Sequence, residues 1–460
     1  MRLPFLNRKP ELARLRAALR ARDGALLCIY GRRRLGKSRL VQQVLEDRRA
    51  VYYVGDERDA PLQRAALAAE IDAQIPGFAA VRYDDWAPLL ERFWREAPRG
   101  VVLSLDEFPS LVRVSPELPS LLQKLVDRGG PGRHVVLCGS SQRMMQGLVL
   151  DAGAPLFGRA REILRVEALG PGALRSAFGL RSAAQVVEHW ATWGGVPRYW
   201  ELALDHAGRD RAVRELALDP AGVLHREPER LLLDDVQDVV RTASILALVG
   251  QGAHRTSEIA ARLSVPATSL SRSLMRLLEL GLIEREVPFG RSLRDTKRTL
   301  YRIADPFLRF FFRFVEPHRS RLAAGQIAEV QRIVQRDWPQ FLGQSWEQLV
   351  RASIARLRIG GLRWEPASRW WGPGGDGRPL ELDIVARCAD DSSHVLVGEA
   401  KLRMTQREAR ACASALADRA RGVPELRGCR ITPAVFALSG PRGTSEPTAV
   451  SPSRVLEALS

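Results

Sequence analysis

The stretch Gly31-Arg32-Arg33-Arg34-Leu35-Gly36-Lys37-Ser38, with Arg39 behind it, has the spacing G-x-x-x-x-G-K-S. Such a loop bends the backbone so that its N–H groups converge on nucleotide phosphates, and the following helix adds a favourable dipole at its N-terminus. Lys37 then reaches the β- and γ-phosphates of ATP, and Ser38 binds Mg²⁺. About 70 residues further on, Asp106 and Glu107 close an apolar run. At a strand tip Asp106 holds Mg²⁺ through water, and Glu107 orients or deprotonates the attacking water. Ser140 or Ser141, closing a third apolar run, is a candidate contact for the γ-phosphate or the lytic water. Arg159 or Arg161 is a candidate for stabilising developing phosphoryl charge. The plainer reading for either is a solvated arginine in an Arg-rich chain. A second set lies toward the carboxyl end: Glu347, Asp383, Glu399 and Lys401. Glu399 and Lys401 are two apart in an apolar run and so share one face of a strand. Glu347 sits among Phe341, Trp346, Leu349 and Val350, where a half-buried carboxylate is costly unless paired or bound to a cation.

Elements must position these groups. Ala25-Leu-Leu-Cys-Ile-Tyr30 reads as a buried strand entering the loop, and Leu40, Val41, Val44 and Leu45 give the next segment an apolar helical face. Gly100-Val-Val-Leu-Ser-Leu-Asp-Glu107 and His134-Val-Val-Leu-Cys-Gly139 read as further strands, and Ala50-Val-Tyr-Tyr-Val54 as another. Trp86, Leu89, Leu90, Phe93 and Trp94 have helical spacing and read as core packing. Residues 165–240 are helix-like and rich in Ala, Leu and Arg, the pattern of a small helical lid. From Ser244 the order is helix, helix 256–263, turn at Ser264-Val-Pro266 and helix 267–280, the spacing of a helix-turn-helix. Strands at 281–286 and 299–303 then flank a basic loop with Arg291, Arg294, Lys297 and Arg298, which gives a winged helix with a basic wing. Ser269, Ser271, Arg272 and Arg276 are its candidate groove or phosphate contacts. Base-reading Asn or Gln are missing from that helix, so any DNA contact there is phosphate binding rather than base reading. A packing or protein-contact role stands beside it. Phe307, Phe310, Phe311 and Phe314 repeat at i, i+3, i+4, i+7 and read as packing between helices.

Asp383, about 16 residues, then Glu399-x-Lys401 on an adjacent strand resembles the constellation of the PD-(D/E)xK nuclease-like fold, with Glu347 as the helix carboxylate. In that chemistry Asp383, Glu399 and Glu347 hold Mg²⁺, and Lys401 positions or activates the water that attacks a phosphodiester. The ordered set Phe5-Leu-Asn-Arg8, Tyr30–Ser38, Leu105-Asp-Glu-Phe108, Cys138-Gly-Ser-Ser141, Leu156-Phe-Gly-Arg159 and Gly194-Gly-Val-Pro-Arg-Tyr199 resembles the archaeal-type P-loop ATPases related to the AAA+ and STAND families. That resemblance implies a five-stranded parallel sheet with an ATP site at its carboxyl edge, used as a switch or slow motor. Trp370-Trp-Gly, Glu381-Leu-Asp-Ile and Gly398-Glu-Ala-Lys extend the resemblance and imply a restriction-endonuclease-like fold, leaving its activity open.

Bulk composition sets the bounds. A chain of 460 residues exceeds a single core, and 45% hydrophobic with 27% charged residues is ordinary for globular domains. No apolar run reaches about 18 residues and the amino terminus lacks a signal-peptide pattern, so the expectation is a cytoplasmic chain with no membrane partner. The five cysteines lack metal-ligand spacing and read as reduced packing residues. A net charge of +17 suits a polyanionic partner. Only Lys9, Lys37, Lys124, Lys297 and Lys401 are lysines, so the positive charge is nearly all arginine, a compositional drift that dilutes this signal. The same drift marks Lys37 and Lys401 as sites that need a compact ammonium.

The expected fold class is α/β: a P-loop NTPase parallel sheet with a helical lid, then a winged-helix domain and a restriction-endonuclease-like α/β domain. The expected boundaries are 1–165 for the ATPase core, 166–240 for a helical lid or bridge, 241–318 for the winged helix, 319–440 for the nuclease-like domain and 441–460 for a tail that closes on a short helix. The expected function is a Mg²⁺-dependent ATP-hydrolysing switch that couples nucleotide state to DNA-associated modules. The alternatives are an ATP-gated signalling or scaffold protein with an inactive carboxy-terminal module, and a transcription regulator. DNA, other proteins and a second copy of the chain are the candidate partners besides ATP.

Overall fold

The strand segments 25–30, 102–106 and 134–139 lack polar–apolar alternation because both of their faces are covered, the condition of central strands in a parallel sheet sandwiched between helices. The computed structural model describes residues 3–130, 132–233, 238–292, 298–375, 377–440 and 449–460. It divides into an amino-terminal unit, Pro4–Ala168, and a carboxy-terminal unit that contains Leu169–Ser460.

In the amino-terminal unit β1 (Ala25–Tyr30) leads through the phosphate loop into α1 (Lys37–Leu45). β2 (Ala50–Val54), β3 (Val102–Asp106), β4 (His134–Gly139) and β5 (Ala160–Arg165) complete a five-stranded sheet in the order β2-β3-β4-β1-β5. Every pairing is parallel. Leu26 and Cys28 of β1 and Val135 and Leu137 of β4 share one core with Trp86, Leu89, Leu90, Phe93 and Trp94 of the helix Trp86–Glu96. The tryptophans expected as packing residues are thus buried, with Trp86 Nε1 donating to Ser115 Oγ at 2.7 Å.

The carboxy-terminal unit opens with helices that include Ala183–Trp193 and Pro197–Leu204. This region, expected as a helical lid or bridge, groups with the carboxy-terminal unit: Trp193 stacks on Phe307 and Tyr199 tilts against it, with centroids 6.5 and 4.7 Å away. The large aromatic surface draws these helices into one core with the Phe-rich segment. Next come α2 (Val239–Gly250), α3 (Thr256–Arg262), a turn of 3-10 helix Ala267–Leu270, and α4 (Ser271–Glu279). The antiparallel pair β6 (Ile283–Glu286) and β7 (Leu300–Ile303) follows, Ile283 opposite Ile303. Arg294 and Lys297 of the expected wing lie outside the described residues. α5 (Pro306–Phe310) is capped by Asp305, whose Oδ1 accepts from Leu308 N at 2.8 Å. The long α6 (Ile327–Ser353) then carries Glu347.

Beyond α6 a second sheet runs β8 (Ser368–Pro373), β9 (Pro379–Arg387), β10 (His394–Arg403), then α7 (Gln406–Arg421), β11 (Arg430–Ser439) and β12 (Ala449–Val450). The first three strands are antiparallel, and β10, β11 and β12 are parallel. α7 supplies the crossover that a parallel β10–β11 pair requires. Trp346 of α6 is fully buried and donates to Phe436 O of β11 at 2.9 Å, which anchors the helix on the sheet. Residues 441–448 lie outside the described part of the expected tail. Residues 449–460 hold a strand, in which Ala449 and Val450 pair with Val435 and Phe436, and the short final helix Pro452–Ala458, capped by Ser451. β11 offers an open parallel edge, and this strand satisfies it. All five cysteines are free thiols.

Candidate functional site: a phosphate loop and a carboxy-terminal carboxylate cluster

The phosphate loop is shaped by two glycines with different duties. A Cβ on Gly31 would meet Val166 O at 2.5 Å, because the chain passes close to the end of β5. Gly36 sits at φ 86 as the N-cap of α1, in the left-handed region that glycine enters without a Cβ penalty. Arg34 also has positive φ, at 68. Lys37 is buried and donates to Arg32 O at 3.1 Å, folding its ammonium back over the loop. Burial lowers its pKa, opposed by the charges of Cys138, Glu107 and Asp106.

Asp106 ends β3 and is 1% exposed. Its Oδ2 accepts from the Tyr52 hydroxyl at 2.6 Å and its Oδ1 from Glu107 N at 2.9 Å. The exposed Ser38 side chain lies beside the same phenol, so Tyr52 joins the two expected Mg²⁺ contacts. Oxygen donors of this kind suit Mg²⁺. Glu107 adopts φ 49, a strained conformation for a non-glycine residue. Its Oε2 accepts from Ser140 Oγ at 2.8 Å and from Ser140 N at 3.3 Å. Ser141 instead caps the next helix, its hydroxyl accepting from Met144 N at 3.4 Å. The structure thus separates the two serines left open by the sequence.

Arg159 is a correction. It pairs with Asp127 through two bonds of 2.6 and 2.9 Å, just before Ala160, which lies beside Leu26 at the amino end of β1. The phosphate loop leaves the carboxyl end of that strand, roughly 17 Å away at ~3.3 Å per residue. A parallel strand begins at the edge where its neighbours begin, so Arg159 faces the edge opposite the phosphates. Arg161, in the same strand start, shares that placement.

Two residues escaped the sequence reading. Arg8 is buried and donates to Leu35 O at 3.0 Å and Glu167 O at 2.7 Å, tying the phosphate loop to the strand exit. Tyr52 is the other. Its signal, a tyrosine in the strand that neighbours Asp106, exists only once strand order is known.

In the carboxy-terminal unit the four expected residues converge. Asp383 and Glu399 follow the last ladder pair, Ile384 with Gly398, on β9 and β10. Lys401 Nζ lies 2.6 Å from Glu399 Oε1, and Arg419 of α7 lies 2.8 Å from Oε2. Arg351 of α6 donates to Asp383 O at 3.1 Å and stands 4.0 Å from Glu347. Burial, and next the charge of Asp383, push Glu347 up to about 7. Burial, and next Glu399, raise Asp383 as well. Arg419 and Arg351 were missed because one of them reaches the site only through the α7 crossover and the other through a helix turn.

Among the described residues no three His, Cys, Asp or Glu side chains are grouped to hold a metal ion. Glu399 is engaged by two cations, Lys401 and Arg419.

Residues 5–201 match the family described as an ATPase domain predominantly from Archaea. Residues 311–412, which include Glu347, Asp383, Glu399 and Lys401, match a family described as archaeal and bacterial proteins of unknown function. The chain is 27% identical over 402 residues to the Methanocaldococcus jannaschii protein MJECL04, covering 85% of this chain and 86% of that one. Its fold is similar to the Walker-type ATPase PABY2304 of Pyrococcus abyssi, with a TM-score of 0.51 and 21% identity, over 67% of this chain and 96% of that chain. The match over residues 5–201, the parallel sheet and the phosphate loop support an ATPase domain in the amino-terminal part of the chain, and the likeness to the solved structure shows the fold.

Proposed function

We propose that the protein is a Mg²⁺-dependent ATP-hydrolysing switch whose nucleotide state acts on a carboxy-terminal unit that binds DNA through phosphate contacts. The observation that carries the ATPase half is the Glu107 carboxylate, held by Ser140 beside the Tyr52-bound Asp106 at the tips of adjacent strands. Lys37 and the loop amides bind and orient the β- and γ-phosphates. Ser38 and Asp106 would hold Mg²⁺, which neutralises phosphate charge. Glu107 takes up or orients the proton of the attacking water, and Ser140 fixes its carboxylate for that task. Glu107→Gln is expected to lower ATP turnover by at least 100-fold while nucleotide affinity stays within a few-fold. Hydrolysis at the parent rate would remove Glu107 from this role.

The helices α2, α3 and α4 with the β6–β7 pair support a winged-helix reading, and α6 with β8–β11 and α7 supports a nuclease-like fold. A second reading, an interaction module that does not cut, is favoured by Glu399 being held between Lys401 and Arg419. Labelled DNA incubated with Mg²⁺ or Mn²⁺ separates the two. Cutting that disappears in Asp383→Ala and Lys401→Ala supports a nuclease. The engaged Glu399 leads us to expect none.

A further inference from the structure

A cavity of about 190 Å³ opens between the end of α2, β7, α5 and α6. Its walls carry Arg302, Arg309 and Arg313, with Gln340, Gln344 and Gln348, and no lining residue is Asp or Glu. Gln340, Gln344 and Arg313 are exposed and form the mouth. Arg309 is deeper, and its Nη2 donates to Ser345 Oγ at 3.2 Å. Its Nε and Nη1 are shielded from water and have no hydrogen-bond partner among the described residues.

A guanidinium shielded in this way with no ion-pair partner within 4 Å among the described residues is costly. The charged groups that act on Arg309 are Glu284, Arg302, Asp305 and Arg351; Glu284 and Asp305 attract it without pairing with it, and Glu286 engages Arg302 and Arg351. Asp305 has an oxygen committed to the cap of α5. Arg302 is held by Glu286 at 2.7 Å, and Arg313 stands 3.8 Å from Asp337. Burial lowers Arg309 to about 10, which leaves it charged at neutral pH. A neighbouring cavity of about 600 Å³ also holds arginines, but Glu286 lies within 4 Å of its Arg351 and Arg369. Glu286 also holds Arg302 of the smaller cavity, and Gln348 there donates to Glu284 at 3.4 Å, so what sets the smaller cavity apart is Arg309, with Gln340 and Gln344 at its mouth. Its volume is below the ~300–1,000 Å³ of pockets that take drug-sized ligands, which limits the guest to a compact anion.

We propose that this cavity is a second phosphate-binding site, in the carboxy-terminal unit, that takes a free phosphate ion or the phosphate of a small ester. Guanidinium forks and amide N–H groups match the oxygens of a phosphate, and the exposed mouth leaves room for a short alcohol. The site is independent of the phosphate loop.

The test uses the full chain carrying Lys37→Ala, which disables the phosphate loop. Inorganic phosphate or ribose 5-phosphate is titrated at constant ionic strength, with melting temperature and equilibrium dialysis as readouts. Saturable binding of one equivalent per chain is expected, with a rise in Tm that chloride does not produce. Added Arg309→Met is expected to weaken binding by at least tenfold, with a cooperative ligand-free melt showing that the variant is folded. Gln344→Leu, at the mouth, is expected to weaken binding without touching the buried cluster. A response to inorganic phosphate alone identifies the free ion as the guest, and a response only to ribose 5-phosphate identifies an ester. No saturable response to either, or a response unchanged in both variants, overturns the proposal.

Discussion

At the scale of single residues, the chemistry is set by what holds each carboxylate. Asp106 and Glu107 are neighbours in sequence yet are held differently: one by a phenol and a backbone amide, the other by a serine from the adjacent strand. Glu347 shows the opposite condition. Its carboxyl rises from 4.5 to about 7 through burial and the charge of Asp383. An acid with a raised folded pKa binds protons more tightly when folded, so its contribution to stability is full below pH 4.5 and is lost as pH rises toward 7. At ~1.4 kcal/mol per pKa unit this amounts to on the order of 3 kcal/mol at most. Glu347→Gln is therefore expected to raise Tm above neutral pH and flatten the fall in Tm between about pH 5 and 7, as followed by thermal melts across pH. An unchanged pH profile would show that Glu347 stays ionised. These residue types were legible from sequence, as were Lys37 and Lys401, because lysine is rare in this chain. The contacts that Tyr52, Ser140 and Arg419 make with them were not assigned, since each of these partners comes from a different element.

At the scale of elements, the end of β4 does two jobs with adjacent serines. Ser140 faces Glu107, and Ser141 caps the helix Gln142–Val149. Losing an N-cap costs ~1 kcal/mol, whereas losing a bond to a positioned base shows mainly in rate. Ser141→Ala is expected to lower stability by about 1 kcal/mol with turnover within a few-fold of the parent. Ser140→Ala is expected to lower ATP turnover about tenfold or more with little loss of stability. Urea unfolding and steady-state ATP turnover on both variants check this, and exchanged phenotypes would reverse the assignment. The strands themselves were readable, because unbroken apolar runs between turn residues leave few other fates for Leu26–Tyr30 or Val102–Leu105. Arg159 shows where such reading stops. A conspicuous arginine near the expected ATP site stands at the wrong edge of the sheet, because parallel pairing places the start of β5 beside the start of β1.

At the scale of the whole molecule, two units carry the two sets of carboxylates. If ATP state acts on a DNA-bound carboxy-terminal unit, the coupling is reciprocal, and DNA must alter nucleotide binding or turnover in return. ATP turnover is expected to rise at least twofold with duplex DNA at low salt and to lose that rise as salt increases, since phosphate contacts release counterions. Turnover unaffected by DNA at any salt would favour the scaffold reading. Which core the helices after residue 166 join was not readable locally, because an amphipathic pattern shows that a face is buried but not which partner buries it. Phe307 decides this by meeting Trp193 and Tyr199. By itself, the sequence determined the phosphate loop, the acidic strand tip and the order of the carboxy-terminal carboxylates, since local spacing and apolar runs encode those features directly. Only the tertiary structure decided that Ser140 rather than Ser141 holds Glu107, that Glu399 is shared by Lys401 and Arg419, and that Arg309 stands unpaired in a cavity. Those contacts join residues far apart in the chain, and their geometry comes from strand order and helix packing, which no local pattern records.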